Sequence, residues 1–121
     1  MDKRAIVVDD SATMRIGVRK ILAGIGFSVV AEGRNGQEAV ALADKHQPEL
    51  LMLDINMPGM TGLEAIPLIL AKSPKTKVIM MTSVSDEQSV DECLSRGAVN
   101  YMLKDSPHEE IGQAILDTME A

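Results

Sequence analysis

The sequence predicts an α/β fold: a single doubly wound sheet of five parallel strands, clad by helices on both faces. Three observations support this. Short apolar runs recur at Arg4–Val8, Phe27–Ala31, Leu50–Leu53, Val78–Met81 and Val99–Leu103. Each has the length of a strand buried on both faces. Amphipathic stretches with helix start and stop signals separate them, in strict alternation and without internal repeats. Five β-α units in that order imply right-handed crossovers and one parallel sheet.

Taken in order, the first strand RAIVV ends abruptly at Asp9-Asp10. The first helix carries Met14, Val18, Ile21, Leu22 and Ile25 on one stripe. Ser11 can cap it, and Gly24 or Gly26 can stop it. The second strand ends at Glu32, and Asn35 with Glu38 starts the next helix. The third strand, LLML, ends at Asp54. Thr61 with Glu64 then opens a helix over Gly62–Lys72, where Pro67 would lose the bond to Leu63, so a late start or a kink is expected. The fourth strand, VIMM, ends at Thr82-Ser83. Ser85 with Gln88 starts the fourth helix, which Gly97 ends. The fifth strand ends at Lys104, and Ser106 can cap the last helix, with Pro107 at its first position and Glu109 at its third.

Composition narrows the class. At 121 residues and 13.0 kDa the chain is read as one domain, residues 1–121. Aromatics are limited to Phe27 and Tyr101, so aliphatics and methionines must fill the interior. Met52, Met80, Met81 and Met102 read as core, and Met57 and Met60 as rim. His46 reads as a surface residue at a helix end and His108 as a first-turn residue; neither has a metal partner nearby in sequence. No apolar run approaches the ~20 residues of a membrane span, and the run after MDKR meets aspartate too early for a signal peptide. A single cysteine, Cys93, precludes an internal disulfide, suits a cytoplasmic location, and reads as a small buried hydrophobe. A net charge of −6 argues against direct nucleic-acid binding by this domain.

In open parallel sheets, sites form beyond the carboxyl ends of the strands. There the sequence delivers Asp9, Asp10, Asp54, Thr82 and Lys104, from four different strands. Taken alone, Asp9-Asp10 reads as a solvated pair at a helix start. With Asp54 and Lys104 in register it reads as a hard-oxygen cluster suited to Mg2+, or Mn2+, balanced by one ammonium. A carboxylate can also attack phosphorus, and phosphoryl transfer needs mainly positioning and charge neutralisation.

The segments VVDDS, LLMLDINMPGMTG, VIMMTS and NYMLKDS together resemble the signature segments of response-regulator receiver domains, the CheY-like family of two-component signalling. The likeness covers essentially the whole chain. It implies a flavodoxin-like (βα)5 sheet in the order 2-1-3-4-5. By the same resemblance, Asp54 is the phosphoacceptor. Asp10, Asp54 and the Asn56 backbone carbonyl ligate Mg2+ directly, with Asp9 acting largely through water. Lys104 contacts the phosphoryl oxygens. Thr82 swings toward the phosphate and Tyr101 rotates inward, remodelling the surface of helix 4, strand 5 and helix 5. The implied partners are a sensor histidine kinase or phosphotransfer protein, and a downstream output protein or fused output domain.

Two departures from the family pattern matter. Lys104 is followed by Asp105 where the family most often has proline, which puts a cis peptide there in doubt. The Lys-Asp-Ser form resembles receivers joined to helix-turn-helix output domains. Val84 stands where the family often has a polar residue, so Asn56 is expected to orient attacking water instead. A Mg2+-dependent phosphohydrolase with Asp54 as nucleophile is the alternative; it would want a carboxylate two residues on, where Asn56 stands. A flavin module would need a polar phosphate loop after the first strand, and that exit is acidic.

Overall fold

The computed structural model describes residues 3–83 and 87–121, apart from the side chain of Glu87. Its elements run β1 (Arg4–Val8), α1 (Ala12–Gly24), β2 (Ser28–Gly33), α2 (Gly36–His46), β3 (Leu50–Asp54), α3 (Gly62–Lys72), β4 (Lys77–Thr82), α4 (Glu87–Arg96), β5 (Asn100–Leu103) and α5 (His108–Glu120). All neighbouring strands pair in parallel, in the order β2-β1-β3-β4-β5. The direction of winding reverses between β1 and β3, so their carboxyl ends flank the switch point.

Side-chain alternation along each strand sorts the interior into two cores. Ile6, Val8, Leu51, Leu53, Val78 and Met80 pack with Ala39, Ala43, Ile66, Ile69 and Cys93 from α2, α3 and α4. Ala5, Val7, Leu50, Met52, Ile79, Met81 and Met102 pack with Val18, Ile21, Leu22, Ile111 and Ile115 from α1 and α5. The four methionines expected in the core are there. Cys93 is buried too, and burial pushes its thiol pKa up, with Glu92 adding to the effect. Met57 corrects the reading of a rim residue: it is buried with the first core, while Met60 is only partly covered.

The margins depart from the expected runs. β2 is an edge strand whose alternate residues Ser28, Val30 and Glu32 are exposed, although Val29, Val30 and Ala31 read as an unbroken apolar run. Phe27 packs in the core from just outside the strand. In β5 only Met102 is buried, and Val99 lies outside the strand, exposed.

Ser11, Asn35 and Thr61 cap α1, α2 and α3 through their side chains, and Thr61 with Glu64 forms a reciprocal capping box. Gly26 and Gly97 adopt positive φ just beyond α1 and α4, as a helix stop requires. The start expected at Ser85, and Val84 with it, lie outside the described residues. Ser106 is not a cap. Its N–H donates to the Leu103 carbonyl at 3.2 Å in a turn, and Pro107 takes the cap position without a side-chain bond.

Helix α3 starts at Gly62, not late. The Leu63 carbonyl that Pro67 deprives of its N–H accepts instead from the Arg96 guanidinium of α4, at 3.3 Å. A neighbouring helix thus supplies the donor that proline removes.

Candidate functional site

Three strand ends and one turn build the site. β1 hands over to Asp9, whose N–H donates to the Gly33 carbonyl at 3.1 Å, prolonging the β1–β2 ladder by one residue. The Asp9 side chain turns back to accept from the Ser11 N–H at 2.9 Å. Asp54 is the last residue of β3 and pairs in register with Met81, which puts Thr82 one step further along β4. Thr82 in turn pairs with Leu103, and the Lys104 N–H donates to the Thr82 carbonyl at 2.8 Å. Lys104 therefore emerges beside Asp54 although 50 residues separate them in the chain.

The geometry is that of a shared charge centre. Lys104 Nζ stands 2.8 Å from Asp9 Oδ2 and 3.1 Å from Asp54 Oδ1. Asp9 and Asp54 are only 3% and 4% exposed, whereas Asp10 is exposed. Carboxylate oxygens of Asp9, Asp10 and Asp54 lie within 4.8 Å of one another. Burial, and next the nearby Asp9 charge, raise the Asp54 pKa to about 6; Lys104 and the Asn56 N–H, which donates to its carboxylate, pull the other way. Desolvation alone would lower the Lys104 pKa, but its hydrogen bonds and charge pairing with Asp9 and Asp54 outweigh that and raise it.

The structure brings together Asp9, Asp10, Asp54 and Lys104, with Thr82 buried at the adjoining strand end. Asn56 is exposed just beyond Asp54. Tyr101 is 37% exposed and lines a groove with Glu110, Ile111 and Ala114 on the β5–α5 side. No cis peptide occurs among the described residues, so the Lys104-Asp105 bond is trans.

Sequence reasoning missed two residues. Arg15 of α1 donates to the Asp9 carbonyl at 2.7 Å and pairs with Glu32 at 3.3 Å, and Glu32 also holds Arg19 at 2.7 Å. Glu32 reads in the sequence only as a strand end, and a lone arginine on an amphipathic helix gives no signal. Gly62 was read only as a helix start. A Cβ there would collide with the Asp54 carbonyl, so α3 sits against Asp54 only because residue 62 lacks one.

Three oxygen-only side chains, clustered tightly with one still exposed, match the donor preference of Mg2+. Comparison with known proteins points the same way. The family model of the response regulator receiver domain matches residues 5–116. Chemotaxis protein CheY of Listeria monocytogenes is 37% identical over 112 residues, covering 93% of this chain and 94% of that protein. The nitrate/nitrite response regulator NarL of Escherichia coli is 34% identical over 91% of this chain, which spans 51% of NarL's length. Among solved structures, the response regulator domain of Thermotoga maritima CheB superposes with a TM-score of 0.87 at 32% identity, covering 99% of this chain and 95% of that one. The CheY of the Borrelia burgdorferi CheX-CheY-BeF3-Mg complex does so with a TM-score of 0.89 at 28% identity, covering 94% and 87%. The chain belongs to the CheY-like response-regulator receiver family of two-component signalling. The strand order that the resemblance implied is the one observed.

Proposed function

We propose that the chain, as one receiver domain over residues 1–121, takes a phosphoryl group onto Asp54 from a phosphohistidine of a sensor histidine kinase or phosphotransfer protein. The reaction depends on Mg2+, with Mn2+ as a substitute. Phosphorylation then switches the α4–β5–α5 surface, which controls a downstream output protein or fused output domain. One observation carries this reading: the buried Asp54 carboxylate lies 3.1 Å from the Lys104 ammonium inside a cluster of three carboxylates. The Borrelia CheY similar to this chain is described in complex with CheX, BeF3 and Mg2+, which supports it.

Asp10, Asp54 and the Asn56 carbonyl would hold the ion, and Asp9 would reach it through water. Bound there, Mg2+ supplies charge neutralisation for phosphoryl oxygens. An ionised Asp54 oxygen attacks phosphorus. The new P–O bond forms as the P–N bond breaks, and its electron pair leaves on the imidazole nitrogen. Lys104, already aimed at Asp54, pairs with a phosphoryl oxygen. The acyl phosphate adds negative charge and acceptor oxygens where a single carboxylate stood. Thr82, at the adjoining strand end, turns its hydroxyl toward them, and Tyr101 moves inward from its exposed position. Two packings of similar energy suffice for this to shift the population. The domain's only chemistry is its own phosphotransfer and autodephosphorylation, and in the latter Asn56 orients the attacking water. It acts in the cytoplasm, on neither a membrane nor nucleic acid directly.

The test is intact-protein mass spectrometry after incubation with acetyl phosphate, with Mg2+ or with EDTA. The expected result is one added HPO3 with the metal, none without it, and none in Asp54→Asn. A metal-independent adduct, or one that survives the substitution, overturns the reading.

A further inference from the structure

We infer that Arg15 is a positioning residue for the metal site, anchored by Glu32 and acting through the peptide that joins Asp9 to Asp10. The inference rests on the Mg2+ reading above. Asp9 is held at every polar group: its N–H by Gly33, its carboxylate by Ser11 and Lys104, and its carbonyl by Arg15 at 2.7 Å. Asp10 differs. It is exposed, and no hydrogen bond or ion pair holds its carboxylate among the described residues. Only the backbone aims it. The plane of the Asp9–Asp10 peptide sets that aim, and its oxygen is the atom the Arg15 guanidinium grips.

The grip is braced. Arg15 Nε pairs with Glu32 Oε1 at 3.3 Å while its Nη1 reaches the Asp9 carbonyl, so the planar fork spans the end of β2 and the turn after β1. Arg15 is only 16% exposed, which limits competition from water. Arg19 takes the other Glu32 oxygen at 2.7 Å, and among the described residues no hydrogen bond or ion pair joins it to Asp9.

Charge and position work in opposite directions here. As a cation near three carboxylates, Arg15 should weaken Mg2+ binding, and its removal should tighten it. As a clamp on the Asp9–Asp10 peptide it should strengthen binding. The geometry favours the clamp, because Glu32 offsets the charge while the hydrogen bond to the carbonyl remains. Outer-shell partners of this kind typically change metal affinity 10- to 100-fold.

The experiment is calorimetric titration of MgCl2 into the unphosphorylated wild-type protein and into Arg15→Met, Arg15→Lys and Arg19→Met. Amide NMR spectra of the metal-free proteins monitor the fold and the Asp10 N–H. We expect Arg15→Met to bind Mg2+ about tenfold more weakly, with the Asp10 amide resonance displaced before any metal is added. Arg15→Lys keeps the charge but loses the fork, so it should also bind more weakly, and it carries the test if the methionine variant does not fold. Arg19→Met should bind as wild type or slightly tighter. Unchanged or tighter binding in a folded Arg15→Met, or wild-type binding in Arg15→Lys, overturns the clamp alone. No Mg2+ binding by the wild-type protein overturns the metal reading itself.

Discussion

Lys104 stands closer to Asp9 than to Asp54, 2.8 Å against 3.1 Å, so the ammonium is shared between two buried carboxylates. A cation already occupies the ground that a divalent ion would neutralise. The two would therefore repel each other, and binding of an ion should loosen Lys104 from Asp9.

Lys104→Met tests that competition. Removing the ammonium leaves three clustered carboxylates unopposed, so the metal-free protein should lose about 3 kcal/mol in urea unfolding at pH 7. Mg2+ should bind several-fold tighter and restore part of the loss, while acetyl phosphate should modify Asp54 much more slowly. Calorimetry and timed mass spectrometry would separate the two effects.

The raised Asp54 pKa predicts an inverse pH dependence. A carboxyl whose folded pKa lies above its unfolded one favours folding while protonated. That contribution is full below pH 3.8 and is lost as the pH rises through about 6. In EDTA at pH 7, Asp54→Asn should therefore be more stable than wild type by roughly 2–3 kcal/mol, and the gap should close below pH 4. Because the ion needs an ionised ligand, wild-type Mg2+ affinity should fall steeply below pH 6. Thermal unfolding of both proteins across that range checks the first point, and titration at pH 5 and pH 7 the second.

Gly62→Ala should push α3 away from Asp54. The added methyl meets the backbone of Asp54, which cannot yield as a flexible side-chain tip would. We expect a loss of about 1–3 kcal/mol together with slower phosphorylation, whereas Gly17→Ala, where a Cβ meets nothing, should cost nothing in either assay.

Pro67→Ala returns an N–H to the interior of α3. The helix should gain about 1–3 kcal/mol, and the Leu63 carbonyl should no longer depend on Arg96. Arg96→Ala should destabilise the wild type by under 1 kcal/mol and leave Pro67→Ala nearly unaffected. A double-mutant cycle in urea measures that coupling.

The sequence shows the fold well because the central strands β1, β3 and β4 are buried on both faces and read as unbroken apolar runs. It reads less well at the margins, where β2 and β5 face solvent on one side and pattern no longer decides the boundary. Asp9, Asp10, Asp54 and Lys104 were legible because each terminates a strand. Arg15 and Gly62 were not. One acts through a backbone carbonyl and the other through an absent methyl, and neither leaves a chemical signature in the chain. Pro67 misled for a related reason: its remedy comes from a helix nearly 30 residues away.

The distribution of burial across the sheet has a mechanical consequence. β3 is buried along its whole length, while β5 buries only Met102. The sheet is a plank stiff along its spine and compliant along both edges, since β2 buries only Gly33. A load added at Asp54 would meet a rigid neighbour on either side, β1 and β4, with yielding margins beyond them at β2 and β5; Lys104, which leaves β5 to reach Asp54, would tie the load to the second margin, where Tyr101 stands exposed.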